Sequence, residues 1–155
     1  MLVRRQRAFV AAASRLVETP VLLDGDATEL LAILREGALA SNLRIVDAAS
    51  QTEPARIAIL VVTGDGRRSA FTKASRRLRE LDAAITSDAV RLVVIQSDRS
   101  RVAPPKLQRL LSEELLFQVT LALPGYQPRR TSRSFRQALG LATLDAAGLR
   151  VLRFG

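Results

Sequence analysis

Acidic side chains follow three segments that have the composition of buried strands. These acidic residues are Asp24, Asp26, Asp65 and Asp98. Ligands of open α/β sheets bind at the carboxyl ends of the strands, so acids at these positions face a binding crevice. If the strands are parallel neighbours, Asp24, Asp26 and Asp98 are candidates to bind Mg²⁺, a hard ion that prefers oxygen ligands. Metal-assisted phosphoryl chemistry would then need no histidine.

The same aspartates also have a purely structural interpretation. The stretch from Asp26 to Glu29 has the spacing of a capping box, in which two side chains satisfy the free backbone N–H groups of a helix start. Asp24 followed by glycine is typical of a turn. This interpretation predicts that Asp26 caps the following helix and that the aspartates are not catalytic.

The amino-acid composition excludes several classes of catalytic and metal site. The chain contains no cysteine and no histidine. Disulfides, zinc–thiolate sites, imidazole metal ligands and histidine-based nucleophile systems are therefore excluded. The glycine–lysine phosphate loop and the dinucleotide-binding glycine fingerprint are also missing from the sequence. An enzyme is the less favoured interpretation, and no cofactor is expected unless the aspartates bind Mg²⁺.

The basic residues indicate a function more strongly than the acidic residues do. The chain has 24 lysines and arginines against 15 aspartates and glutamates, a formal net charge of +9, which is the electrostatic footprint of a nucleic-acid binder. The clustered residues are Lys73, Arg76 and Arg77 on a predicted helix, Arg129, Arg130, Arg133 and Arg136 at the start of another, and Arg99 and Arg101 in a loop. The alternative explanations are a solvated helix face, on which Glu80 pairs with Arg76, and a genome-wide preference for arginine.

The four arginines between positions 129 and 136 form the principal predicted anion site. They crowd a loop and a first helical turn, where the helix dipole already makes the potential positive. No acid lies between Leu123 and Leu144 to compensate for them. Phosphate matches both the guanidinium geometry and the free N–H groups of a helix start. We therefore expect an arginine-rich rim at the strand ends, which the other two clusters extend.

A local resemblance supports a catalytic alternative. The stretch Val21–Thr28, a hydrophobic strand followed by Asp-x-Asp-x-Thr, resembles the first motif of haloacid-dehalogenase-type phosphatases. Ile59–Gly64 resembles their second motif, a hydrophobic strand that ends in threonine. The resemblance implies a phosphoryl-accepting nucleophile at Asp24, an acid/base at Asp26, a phosphate ligand at Thr63 and a motif-three lysine at Lys73. The acidic fourth motif of the family has only Asp98 to represent it.

Hydrophobic periodicity predicts the elements that carry these residues. The predicted strands are Val21–Leu23, Leu43–Val46, Ile57–Val62, Leu92–Ile95, Phe117–Leu123 and Leu149–Phe154. The predicted helices are Val3–Glu18, Asp26–Gly37, Phe71–Ile85, one that opens at Pro104-Pro105, and one that Ser132 or Ser134 caps and that runs through Ala147. Ser87-Asp88 is predicted to be a turn. The two unbroken apolar strands, Ile57–Val62 and Leu92–Ile95, are expected to be parallel neighbours joined by a right-handed helical connection.

This order predicts the fold class. We expect residues 1–155 to form a single three-layer α/β domain with a largely parallel sheet of about five to six strands, helices on both faces and an N-terminal helix. No apolar run approaches the roughly 20 residues of a membrane span, so a cytoplasmic location is expected. The alternative for the basic N-terminal stretch is a targeting segment.

Three functions remain open at this stage. The favoured one is a non-catalytic module that binds a polyanion, most of all nucleic acid. Because the chain has five phenylalanines and one tyrosine, contact with the backbone of a duplex or structured RNA is favoured over base stacking on a single strand. The alternatives are a Mg²⁺-dependent phosphatase or nuclease that uses Asp24 and Asp26, and a subunit that binds an acidic protein partner.

Overall fold

Strands and helices alternate along most of the chain. The structure is a computed structural model, and it describes residues 19–49, 52–98, 100, 102, 104–122 and 134–154. Its strands are β1 (Pro20–Gly25), β2 (Arg44–Val46), β3 (Ala55–Thr63), β4 (Ile85–Gln96) and β5 (Leu149–Phe154). Its helices are α1 (Thr28–Glu36), α2 (Ala38–Asn42), α3 (Arg67–Glu80), α4 (Pro105–Leu121) and α5 (Phe135–Ala146), with a 3₁₀ turn at Asp82–Ala84.

The five strands form one mostly parallel sheet. Their order is β2-β1-β3-β4-β5, and only β5 runs antiparallel to its neighbour. β3 and β4 are parallel neighbours in register at Ile59 and Leu92, and α3 connects them. This confirms the prediction made from their unbroken apolar composition. The sheet is thus part of an α/β fold.

β4 is longer than the sequence pattern predicts. Between the paired positions Ala55–Ile85 and Ile57–Val90, β4 contains three more residues than β3. Ser87 and Asp88 lie in this irregular stretch of β4, so the predicted turn there is wrong. Taken alone, the polar pair Ser87-Asp88 is typical of a turn. A register shift against β3 accommodates the pair within the strand. Ile85 consequently opens β4 and does not belong to the helix that precedes it.

Strand side chains divide into two hydrophobic clusters because neighbouring residues point to opposite faces of a sheet. One cluster contains Leu23, Ile59 and Leu92 together with buried residues of α1, α2, α4 and α5. The other contains Leu60 and Val93 together with three buried residues of α3, namely Ala70, Ala74 and Leu78. Within the described ranges, α3 is the only α-helix that contributes to the second cluster. Among the described residues, no second α-helix covers the sheet beside the flank of α3 that faces β5.

The predicted strand Phe117–Leu123 is wrong. The helix that begins at Pro105 continues to Leu121. Leu111, Leu115 and Val119 are completely buried at intervals of four, which is the spacing of one helical face. The short polar–apolar alternation after Phe117 arises because the adjoining helix flank is half-buried. The described sheet consequently has five strands and not six.

Several local signals are confirmed at the helix ends. α1 ends at Gly37, Pro105 occupies the first turn of α4, and Ser134 caps α5 through a capping box with Gln137. The predicted helix Val3–Glu18 lies outside the described residues. No helix in the described ranges is long and apolar enough to span a membrane.

Candidate functional site

The chain connections diverge between β1 and β3, where α/β sheets bind their ligands. From β1 the chain moves outward to β2, and from β3 it moves in the opposite direction to β4. We call the end of the sheet where these parallel strands terminate the carboxyl edge, defined by Asp24, Asp26, Thr63, Asp65 and Asp98. The structure thus places the predicted acidic residues at one edge.

A close backbone approach positions Asp26. Gly25 has a φ of 141°, and a Cβ there would lie 1.9 Å from the carbonyl oxygen of Val61. The N–H of Asp26 donates to that carbonyl at 3.1 Å. Any side chain at Gly25 would therefore separate the end of β1 from β3. Glycine allows the chain to turn Asp26 towards the residues that follow β3.

Asp26 joins β1 to β3 and α3. Its Oδ1 accepts a hydrogen bond from the Thr63 N–H at 2.8 Å, and its Oδ2 lies 3.2 Å from the Nζ of Lys73. Lys73 also donates to the Thr63 carbonyl at 2.9 Å. α1 has Ala27 as its N-cap and no side-chain capping bond, so the predicted capping box of Asp26 and Glu29 is wrong. The carboxylate instead has charged and polar partners across the sheet edge.

Asp24 is held by a bidentate ion pair. The Nε and Nη2 of Arg77 donate to Oδ1 and Oδ2 of Asp24 at 2.8 and 3.0 Å. The remaining Nη1 donates to Glu80 at 2.8 Å, so the predicted pairing of Glu80 with Arg76 is wrong. Hydrogen bonds to Asp24 and then Glu80 raise the pKa of Arg77. With both oxygens engaged, Asp24 does not match the free nucleophile that the phosphatase resemblance implies.

Asp65 and Asp98 meet across the ends of β3 and β4. A hydrogen bond with Asp65 and repulsion from its charge raise the pKa of Asp98, while nearby Lys73 acts in the opposite direction. Among the described residues, no group of three or more acids is close enough to hold a metal ion. Asp24 faces Arg77, Asp26 faces Lys73 and Asp98 faces Asp65, and the Mg²⁺ site at these residues stays a prediction.

The described carboxyl edge is acidic overall. Lys73 and Arg77 oppose four aspartates there, and a cavity of about 260 Å³ at the same edge is lined by Asp65, Asp145 and Arg150. Arg150 is itself paired with Asp145 at 2.7 Å. Among the described side chains that these contacts bring to the edge, the acidic ones therefore outnumber the basic ones.

The structure describes only one of the predicted rim arginines that lie outside α3. Arg99, Arg101, Arg129, Arg130 and Arg133 lie outside the described residues. Arg136 is exposed in the first turn of α5, a helix that ends beside Leu149 at the carboxyl edge. Ten residues of helix place Arg136 about 15 Å along the helix axis from that edge. The structure therefore places Lys73 and Arg77 at the carboxyl edge but does not place Arg136 there.

The outer surface of α3 carries three exposed arginines. Arg68, Arg76 and Arg79 are exposed, and none of them forms an ion pair with an acid in the described part of the chain. Lys73 and Arg77 lie on the opposite flank, towards β1. The helix thus separates paired cations from unpaired ones, a distinction that the sequence clusters do not reveal.

A groove of about 560 Å³ runs beside this helix, between α3 and the strands β4 and β5. We call it the α3 groove, and it is lined by Ser75, Leu78, Arg79, Asp82, Arg91 and Phe154. Arg79, Arg91 and Phe154 are not among the site residues predicted from the sequence. A helical projection centred on Ala70 and Ala74 would have placed Ser75 and Arg79 on one flank, but Arg91 and Phe154 carry no such local signal.

Comparison of the chain with family models, with curated proteins and with solved structures finds no match.

Proposed function

We propose that this protein is a non-catalytic module that binds a polyanion, most of all nucleic acid, through the outer surface of α3 and the α3 groove. The observation that carries the proposal is the separation of charge around the helix. Asp24 and Asp26 take up Arg77 and Lys73, whereas Arg68, Arg76 and Arg79 stay exposed and without an acidic partner in the described residues. Phosphate groups are suitable partners for such guanidinium groups because they accept paired hydrogen bonds.

The dimensions of the helix support contact with several phosphates. Arg68 and Arg79 are eleven residues apart, which corresponds to about 16 Å along the helix axis. One strand of a duplex advances roughly 3.4 Å per phosphate, so this length spans about five of them. The basic segment from Arg129 to Arg136 and the loop with Arg99 and Arg101 are proposed as additional contacts.

A salt titration tests the proposal. We expect the double variant Arg76→Ala/Arg79→Ala to bind duplex DNA and structured RNA more weakly than the unchanged protein. For duplex DNA, the slope of log affinity against log salt should fall by about 1.8, because each lost phosphate contact removes about 0.9. Two unrelated duplexes should be affected alike, since backbone contacts carry no base information.

A charge-matched control distinguishes loss of this surface from loss of net positive charge. Arg44 on β2 and Arg109 on α4 are exposed and distant in the fold from the outer surface of α3. Arg44→Ala/Arg109→Ala removes the same charge and should leave the salt slope nearly unchanged. Equal losses in both variants would reject the α3 surface as the site. If no nucleic acid binds even at low salt, the proposal fails and an acidic protein partner becomes the better explanation.

A further inference from the structure

We propose that the α3 groove binds one unpaired nucleotide of a single-stranded nucleic acid, with its base against the ring of Phe154. This inference rests on the proposed polyanion-binding function and names the form of nucleic acid that the groove selects. The groove combines two arginines, Arg79 and Arg91, with an aromatic ring. Proteins that bind single strands use this combination, because cations follow the phosphates while rings stack on the bases.

The charges of the groove are positioned from two different elements. Arg79 comes from α3, while Arg91 comes from β4 and donates to the carbonyls of Ala89 at 2.8 Å and Thr86 at 3.5 Å. These bonds use two of the five guanidinium N–H groups of arginine and leave the others able to bind a phosphate. Asp82 is the only acid in the described lining, so the groove carries a positive balance.

Phe154 supplies a supported ring surface. Its ring lies 5.5 Å from that of Phe71, centroid to centroid, with an interplanar angle of 35°. Phe154 is half-buried and contributes to the groove lining. Phe71 therefore holds the ring from one side while part of Phe154 remains accessible. A paired base within a duplex is stacked on its neighbours, so only an unpaired base can offer its face to this ring.

The groove has the volume of a small-molecule site. Its volume of about 560 Å³ falls within the range of roughly 300–1,000 Å³ that small-molecule sites occupy. The small number of aromatic residues disfavoured stacking in the sequence analysis, but one accessible ring is enough for one base. The rest of the strand would follow the exposed arginines of α3.

Equilibrium binding of one oligonucleotide in two forms tests the inference. We expect the unchanged protein to bind a 12-nucleotide single strand at least about 5-fold more tightly than the same sequence in a duplex. Phe154→Leu keeps an apolar side chain but removes the ring, and should weaken single-strand binding about 5- to 100-fold. Duplex binding should change less than 2-fold. Phe117→Leu, on α4, is the matched control and should leave both affinities unchanged.

A second variant keeps the test valid if Phe154→Leu unfolds. Ser75→Leu narrows the groove from the half-exposed flank of α3 without adding an aromatic ring, and should also weaken single-strand binding while sparing the duplex. If Arg76→Ala/Arg79→Ala weakens binding but neither groove variant affects the single strand, the inference fails and the proposed function stands. Equal affinity for both forms in the unchanged protein also overturns the inference. If neither form binds at low salt, the proposed function itself fails.

Discussion

Arg77 of α3 binds Asp24 of β1 through two hydrogen bonds, 2.8 Å from Nε to Oδ1 and 3.0 Å from Nη2 to Oδ2. The two residues are 53 positions apart in the sequence. The Asp24 side chain is only 20% exposed, so loss of its partner would leave a carboxylate with poor access to water. The pair therefore fastens α3 to the sheet.

We expect Arg77→Ala to lower the free energy of unfolding by about 1 kcal/mol, near the upper end for a partly exposed ion pair because the geometry is bidentate. Arg76→Ala, one residue away and without an ion pair in the described residues, should change it by less than about 0.5 kcal/mol. Urea unfolding of both variants measures the difference. Equal effects would show that the Asp24 contact contributes nothing to stability.

Asp26 should matter for stability through Thr63 and not through α1. Asp26→Ala removes the acceptor of the Thr63 N–H and should cost on the order of 1 kcal/mol. Asp26→Asn keeps an acceptor oxygen and should cost less, while Glu29→Ala should have almost no effect because α1 has no side-chain cap. Thermal unfolding of the three variants checks this order. A large loss in Glu29→Ala would restore the capping-box interpretation.

The contact between Asp65 and Asp98 predicts that the stability of the protein depends on pH. Since Asp65 raises the pKa of Asp98 in the folded state, folding favours the protonated form of Asp98. Its stabilising contribution is present below the ordinary aspartate pKa of about 4 and is lost as the pH rises through the higher folded value. Asp98→Asn should therefore raise the melting temperature at pH 7, where it removes repulsion, and have less effect near pH 3.5. An equal shift at both pH values would contradict the pairing.

Gly25 should tolerate no side chain. A Cβ there would lie 1.9 Å from the Val61 carbonyl oxygen at a φ of 141°, and both the contact and the backbone conformation disfavour alanine. We expect Gly25→Ala to destabilise the protein by more than about 2 kcal/mol. Gly66→Ala is the control, because nothing lies within 4 Å of the added Cβ and its loss should stay under about 1 kcal/mol. Denaturant titration separates the two, and similar losses would contradict the close approach.

The phosphatase alternative makes an opposite biochemical prediction. Because Arg77 engages both oxygens of Asp24, we expect no turnover of p-nitrophenyl phosphate that depends on Mg²⁺. The measurement compares the unchanged protein with Asp24→Asn, with and without the metal. Turnover that requires Mg²⁺ and disappears in Asp24→Asn would establish the hydrolase and reject the non-catalytic proposal.

The sequence by itself determined the features that depend on neighbouring residues. The apolar runs of β3 and β4 predict central parallel strands, because only strands covered on both faces lack polar alternation. The end of α1 at Gly37, the proline in the first turn of α4 and the Ser134 cap likewise follow from local backbone chemistry. These signals act over one or two helical turns, so they are visible without the fold.

Tertiary structure alone decided the features that depend on distant partners. The polar pair at Ser87 stays within β4 because β3 pairs on either side of it, and the end of α4 depends on which side chains the core buries. Whether Asp26 caps a helix or binds Lys73 depends on an approach between β1 and β3 that Gly25 permits. The pairing of charges also depends on distant residues, because a count of arginines cannot show which of them contact an aspartate. Lys73 and Arg77 are paired and Arg79 borders an open groove because a helix on a sheet has two flanks with different neighbours.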